Sequence, residues 1–136
     1  MSIDVAVVGA GPAGATLAHE VAKAGGKVAL FDDRAPWEKP CGGILGRGTL
    51  EENSILHDYP HAANEYHGVK YVSPHAECRF APSPYPIPVV SRRELAVYLL
   101  DRARHAGATF RSERVLAIER SGSRWELRWW HLSATA

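Results

Sequence analysis

The sequence predicts an α/β fold built on a parallel sheet, and three observations carry that expectation. Residues 3–8 (IDVAVV) and 27–32 (KVALFD) are short, nearly continuous apolar runs rich in β-branched residues. Such runs suit strands buried on both faces, as in a parallel sheet. A helical apolar pattern lies between them, so the three segments read as a βαβ unit with a right-handed crossover. A second helical stretch after Ser91 leads into a third strand candidate over 108–111.

Each element follows from local chemistry. Gly9, Gly11 and Gly14 (GAGPAG over 9–14) break the first strand. From 13 to 24 the pattern is helical, with Ala13, Leu17, Val21 and Ala24 expected on the buried face. His19, Glu20 and Lys23 are expected to point away. Gly25 and Gly26 end the helix, as glycine does in a left-handed cap. Residues 33–50 form a loop-rich stretch with Pro36, Pro40, Gly42, Gly43, Gly46 and Gly48. Residues 51–66 are polar and poorly patterned, with room for a short helix. Strands are expected over 69–72 and 77–80. Pro82, Pro84, Pro86 and Pro88 exclude a central strand before Val89 and Val90.

Ser91 and Glu94 form a capping box for the second helix. Leu95, Leu99, Ala103 and Ala106 make its buried stripe, with Ala96 and Leu100 beside it, and Gly107 ends it. Residues 115–119 and 124–130 predict a hairpin around Ser121, Gly122 and Ser123. Trp125, Leu127 and Trp129 alternate as a strand requires and read as packing residues; Trp130 breaks the alternation. The last residues, HLSATA, carry no strand or helix pattern.

Composition narrows the function. The chain has 136 residues, enough for one domain with a core, and is 46% hydrophobic and 23% charged. Its net charge is +1 and its arginines are scattered, which argues against a nucleic-acid surface. Two cysteines, Cys41 and Cys78, are too few for a disulfide framework and fit a reducing compartment. No apolar run approaches the length of a membrane span. Asp4 sits where a signal peptide would be basic, so a cytoplasmic location is expected. His57, His61, His67, His75 and Cys78 fall in one region, but their spacings do not make paired ligand couples, and no metal site is predicted. No G-x-S-x-G nucleophile motif is present.

The glycines carry the chemistry. Gly9, Gly11 and Gly14 match G-x-G-x-x-G, with Pro12 and Ala13 in the same loop. The motif follows a strand, opens a helix and has an acid at the end of the next strand, which is the context it needs. Gly9 permits the turn, Gly11 lets the backbone approach a pyrophosphate, and Gly14 lets the helix pack on the strand. The helix N-terminus offers amides and partial positive charge to phosphates. Asp32 is placed to accept from ribose hydroxyls; the strand register favours it over Asp33, expected to be solvated. An acid there argues against a 2′-phosphate. FAD and NAD both satisfy the motif. The fold expected is therefore a partial Rossmann-like FAD/NAD(P)-binding domain.

Two further stretches, 31–43 (FDDRAPWEKPCGG) and 90–108 (VSRRELAVYLLDRARHAGA), resemble the geranylgeranyl reductase family. This is a branch of FAD-dependent oxidoreductases related to aromatic hydroxylases and flavin-dependent halogenases. The resemblance spans about residues 3–130, and KPCGG (39–43) is its specific piece. It implies FAD as cofactor, with Gly9–Gly14 around the pyrophosphate and Asp32 on the adenosine ribose. It places Arg34 near the adenine side and Arg92 at the phosphate and ribitol region. It places the Val115 backbone at the adenine edge, and Cys41 and Gly42 on a loop running toward the isoalloxazine ring. Ile44 stands where the family often has a third glycine. Trp37 reads either as a loop anchor or as a flavin contact.

The resemblance also implies the activity. In complete relatives reduced flavin, with NAD(P)H as external reductant, delivers a hydride to a prenyl double bond. The alternatives are a flavin-dependent monooxygenase or halogenase, or a non-catalytic FAD-binding fragment. No catalytic residue is assigned. Family members continue into a further strand, a G-D segment binding the ribitol, and a substrate domain. The expectation is that 1–136 is an N-terminal portion of an FAD-binding domain, truncated before the substrate domain. The first strand would then expose an apolar edge, and poor solubility or weak FAD binding is expected.

Overall fold

The computed structural model describes residues 3–46, 48–60, 64–80, 82 and 86–130. Contacts divide the chain into two units. One is Met1–Trp37 with Ala96–Ala136, and the other is Glu38–Leu95.

In the first unit, β1 (Val5–Val8), β2 (Val28–Phe31) and β7 (Thr109–Arg111) form a parallel sheet in the order β1-β2-β7. The register pairs Val7 with Leu30 and Val8 with Phe31, and then Leu30 with Phe110. β2 is central and every residue of it is buried, as its unbroken apolar run VALF requires. The fold is the α/β arrangement expected from the sequence.

Alternation along the strands sends side chains to opposite faces. Val7 lies under the helix α1 (Pro12–Lys23), while Phe31, one step out of phase in the register, meets Trp129 at 5.7 Å between ring centroids. Trp129 belongs to a hairpin of β8 (Arg114–Ser121) and β9 (Arg124–Trp130), turning at Gly122 with φ +61°. α1 ends as expected. Gly25 takes φ +85° and donates to the Ala22 carbonyl, while Gly26 donates to that of Val21. This pair of bonds satisfies carbonyls the helix would otherwise leave open. The helix α3 (Arg92–His105) closes the same way, through Gly107 to Arg104 and Ala108 to Ala103. Its stripe of Leu95, Leu99, Leu100 and Ala103 is buried, and Ala106 is half-buried.

The buried face of α1 differs from the expectation. Ala15, Ala18, His19 and Ala22 are buried, whereas Ala13 and Ala24 are exposed and Leu17 is 49% exposed. Two apolar stripes compete on this helix. The helix comes so close to β1 that only the stripe of small residues fits beneath it, and the bulkier Leu17 turns outward. His19 is carried inward with that stripe, its Nδ1 3.0 Å from Glu20 Oε1.

The second unit holds α2 (Thr49–Glu52), β3 (Asn64–Tyr66), β4 (Lys70–Val72), β5 (Glu77–Arg79) and β6 (Ile87–Val89). β4 pairs antiparallel with β5, and β3 with β6. The short helix starts at Thr49, before the polar stretch where it was expected. β3 was not foreseen in that stretch. Pro88 lies inside β6, opposite Glu65. A two-stranded ribbon has only edge strands, so a residue without an N–H is accommodated there. Pro84, His61 and the final HLSATA lie outside the described residues.

β1 is an edge of its sheet. Beside it a cleft of about 750 Å³ is lined by Ala6, Val8, Phe31, Ile118, Trp125 and Trp129, among others. Val8 is 52% and Trp125 65% exposed.

Two outcomes follow. Ala18→Leu is expected to cost about 1–3 kcal/mol by overpacking, while Leu17→Ser stays within about 0.5 kcal/mol, measured by urea unfolding. The reverse order would restore the stripe of Leu17 and Val21. Ala6→Lys places a charge on the exposed face of the edge strand and is expected to lower self-association in sedimentation velocity. An unchanged mass distribution would show that the β1 edge does not drive association.

Candidate functional site

The three glycines of the loop have different local surroundings. Gly9 turns the chain out of β1 at φ +101°, and its N–H donates to the Phe31 carbonyl at 2.8 Å. A side chain on Gly14 would overlap the Gly9 carbonyl oxygen and press on Val7 Cγ1. Gly11 is different. As N-cap of α1 it has φ −69° and ψ 178°, a conformation open to any residue. Backbone conformation therefore does not require a glycine at this position.

Pro12 occupies the start of α1, where its missing N–H costs nothing. No side chain caps this helix and its first turn holds no acid. The helix-end amides and their partial positive charge are thus left for an outside acceptor. Ala13 and Gly14 lie in that first turn.

Asp32 ties the loop down. Its Oδ2 accepts from the Ala10 N–H at 2.8 Å, and its Oδ1 accepts from those of Arg34 (2.8 Å) and Ala35 (3.0 Å). An ionised carboxylate offers about four acceptor sites, so these three bonds orient it and leave capacity for a hydroxyl donor. The Arg34 guanidinium is exposed and lies over the Trp37 ring, 4.9 Å from its centroid. Trp37 thereby anchors the loop after β2. Asp33, expected to be solvated, is half-buried with Oδ1 4.0 Å from Arg34 Nε. Val115 sits half-buried in β8 opposite Trp129, beside a register shift between Val115 and Ala117. The extra residue of such a bulge is left out of the ladder.

The second unit places the other predicted residues. Cys41 is exposed with a free thiol, and its N–H donates to the Lys39 carbonyl at 2.7 Å. Cys78 is likewise free and exposed. Gly42 is exposed, and an added Cβ would meet only Ile44, at 3.9 Å. Gly43 is buried at φ +68°, and a side chain there would overlap the Val90 carbonyl. Val90 N–H donates to the Gly43 carbonyl at 3.0 Å, and Leu45 N–H to that of Pro88 at 2.9 Å. Ile44, in the place of a third glycine, bridges to Val89 and is exposed.

Glu38 was missed by sequence reasoning. Its Oε2 accepts from the Ser91 hydroxyl (2.9 Å) and the Arg93 N–H (3.1 Å), and its Oε1 from the Arg92 N–H (2.9 Å). The bond to the Arg93 amide, then that to Ser91, holds its carboxyl below the usual carboxylate range. Ser91 Oγ also accepts from the Glu94 N–H at 3.2 Å, the hydroxyl limb of the expected capping box. No local pattern announces a cap arriving from so far along the chain. The Nε of Arg92 is buried without a hydrogen-bond partner among the described residues.

Gly9, Gly11, Pro12, Ala13, Gly14 and Asp32 thus come together in one unit, with Arg34 and Val115 in the same unit. Cys41, Gly42 and Arg92 belong to the other. Among the described residues no three His, Cys, Asp or Glu side chains converge on a common point. What the arrangement offers is anion binding, hydroxyl recognition and close backbone approach.

Comparisons agree with this chemistry. The chain is 36% identical to the geranylgeranyl diphosphate reductase of Rhodobacter capsulatus over 95% of its length, covering 32% of that protein. A geranylgeranyl bacteriochlorophyll reductase-like structure from Thermoplasma acidophilum superposes with a TM-score of 0.78 at 27% identity, over 96% of this chain and 35% of that one. The halogenase PltM, solved in complex with phloroglucinol and FAD, gives 0.74 at 20% identity over 93% and 31%, and shows the fold alone. The chain spans about a third of the length of the proteins it matches. In that PltM complex the shared fold holds FAD. The model for the pyridine nucleotide-disulphide oxidoreductases matches residues 3–122, and the chain belongs to that family.

Proposed function

We propose that this chain is the FAD-binding portion of a flavin-dependent oxidoreductase of the geranylgeranyl reductase type. The observation that carries the reading is the start of α1, uncapped at Gly11 and held against β1 by Gly14 and Asp32. Gly9–Gly14 would hold the pyrophosphate by backbone amides. Asp32 would take the adenosine ribose hydroxyls, and Arg34 would lie on the adenine side. The Val115 backbone would meet the adenine edge, and Arg92 the phosphate and ribitol region. Cys41 and Gly42 would line the approach to the isoalloxazine ring.

Bound flavin, reduced by NAD(P)H, would supply a hydride to a prenyl double bond in the complete protein. The residues here bind and orient; none is assigned as an acid or base. The likeness to the Rhodobacter reductase across nearly the whole chain supports a prenyl rather than an aromatic substrate. A monooxygenase or halogenase is the second reading, on the fold shared with PltM. A flavin that binds without turning over would mark a binding portion alone. Among the described residues no helix is long and apolar enough to cross a membrane. The reading includes a cytoplasmic location, supported by the two free thiols.

Titration of FAD by flavin fluorescence tests the cofactor. Binding is expected, with little displacement by NAD. Gly14→Val is expected to abolish it, since the side chain overlaps the Gly9 carbonyl. Asp32→Ala is expected to weaken it about 10- to 100-fold through loss of hydrogen bonds to a charged acceptor. NAD displacing FAD at equal concentration would overturn the assignment. Anaerobic reduction by NADPH, followed by prenyl or aromatic substrates, separates the two activities.

A further inference from the structure

We propose that Glu38 is a positioning residue that sets Arg92 for the cofactor, an inference that rests on the FAD reading above. The 39–43 loop presents Glu38 to the start of α3, and the loop is itself fastened at its far end by the reciprocal approach of Gly43 and Val90. Between these anchors the carboxylate accepts three hydrogen bonds, from Ser91 Oγ and the Arg92 and Arg93 amides.

That arrangement settles what the end of α3 can bind. Its first amides are filled, two by Glu38 and the next by Ser91 Oγ, and so are closed to an added acceptor. What remains for a phosphate is the side chain of Arg92, whose backbone Glu38 holds and whose Nε is buried without a partner among the described residues. The two helix starts therefore differ: nothing caps α1, whereas the first amides of α3 are filled. The charged groups around Glu38 are Arg92 and Arg93, with Lys39 beside it in sequence and Glu94 in the same first turn of the helix.

A double-mutant cycle on FAD affinity tests the coupling. Glu38→Ala is expected to weaken binding about tenfold, as loss of charge-assisted bonds does. In an Arg92→Ala background the same change is expected to alter affinity less than about twofold, because residues acting as one unit are not additive. Equal effects in both backgrounds would overturn the inference.

Amide exchange of Arg92 and Arg93 decides the pin without FAD. Glu38 lies below the ordinary carboxyl range when folded, so its contribution is complete above that range and is lost as pH falls through the lowered value. Protection of the two amides is expected to follow that acid limb in wild type and to be low and pH-independent in Glu38→Gln, a variant of the same length. Unchanged protection in Glu38→Gln would also overturn it. Wild type failing to bind FAD would instead bring down the cofactor reading, with the exchange result still deciding whether Glu38 holds the helix end.

Discussion

The first turn of α1 lies against the carbonyl of Gly9, so near that a single Cβ on Gly14 would overlap it. Much of the first unit follows from this approach. It forces small residues onto the inner face of the helix, and Ala15, Ala18 and Ala22 supply them. It aims the helix axis at the loop after β1, where the N-terminal amides emerge. It also brings Ala10 within reach of Asp32, so the end of β2 fixes the loop that follows β1. The carboxylate satisfies the Ala10 N–H and keeps acceptor capacity for a hydroxyl donor.

Electrostatics then separates two helices that look alike on paper. Both end in a left-handed glycine and both carry basic residues in the last turn. Their starts are opposite. α1 begins with Gly and Pro and no acid, leaving the positive end of its dipole exposed to an anion. α3 begins beneath Glu38 and carries Glu94 in its first turn.

The legible features were those set by neighbours in sequence. β2 was legible because VALF has no polar residue to turn outward. The helix ends were legible because Gly25 and Gly107 adopt a conformation other residues resist. The inner face of α1 was not. Leu17 outranks alanine in any hydrophobic pattern, and the contact distance that turns it outward is a tertiary fact. β3 was hidden because its exposed residues, Asn64–Tyr66, have no apolar alternation to show. Glu38 was hidden because its partners lie 53 to 55 residues away. The turn and close helix packing of the glycine loop were readable, since their demands are local. The roles of Cys41 and Gly42 depend on a ligand, which no local pattern describes.

A site made largely of backbone places few demands on side chains. The glycine loop needs a positive φ at Gly9, no Cβ at Gly14, a helix start without a cap, and one acid at the next strand end. This explains how a halogenase at 20% identity shares the fold with a TM-score of 0.74. It also limits what these residues can decide. Backbone amides bind a pyrophosphate regardless of the reaction that follows, so Gly9–Gly14 and Asp32 cannot select between a prenyl chain and an aromatic ring. The discrimination has to come from groups that touch the flavin's reactive end or the substrate. Among the described residues the 39–43 loop is the candidate, and its placement depends on Gly43 against Val90 and on Glu38 at the helix end. The glycine loop is thus placed by backbone geometry around β1 and α1, and the 39–43 loop by the Gly43 and Val90 backbone together with the Glu38 carboxylate.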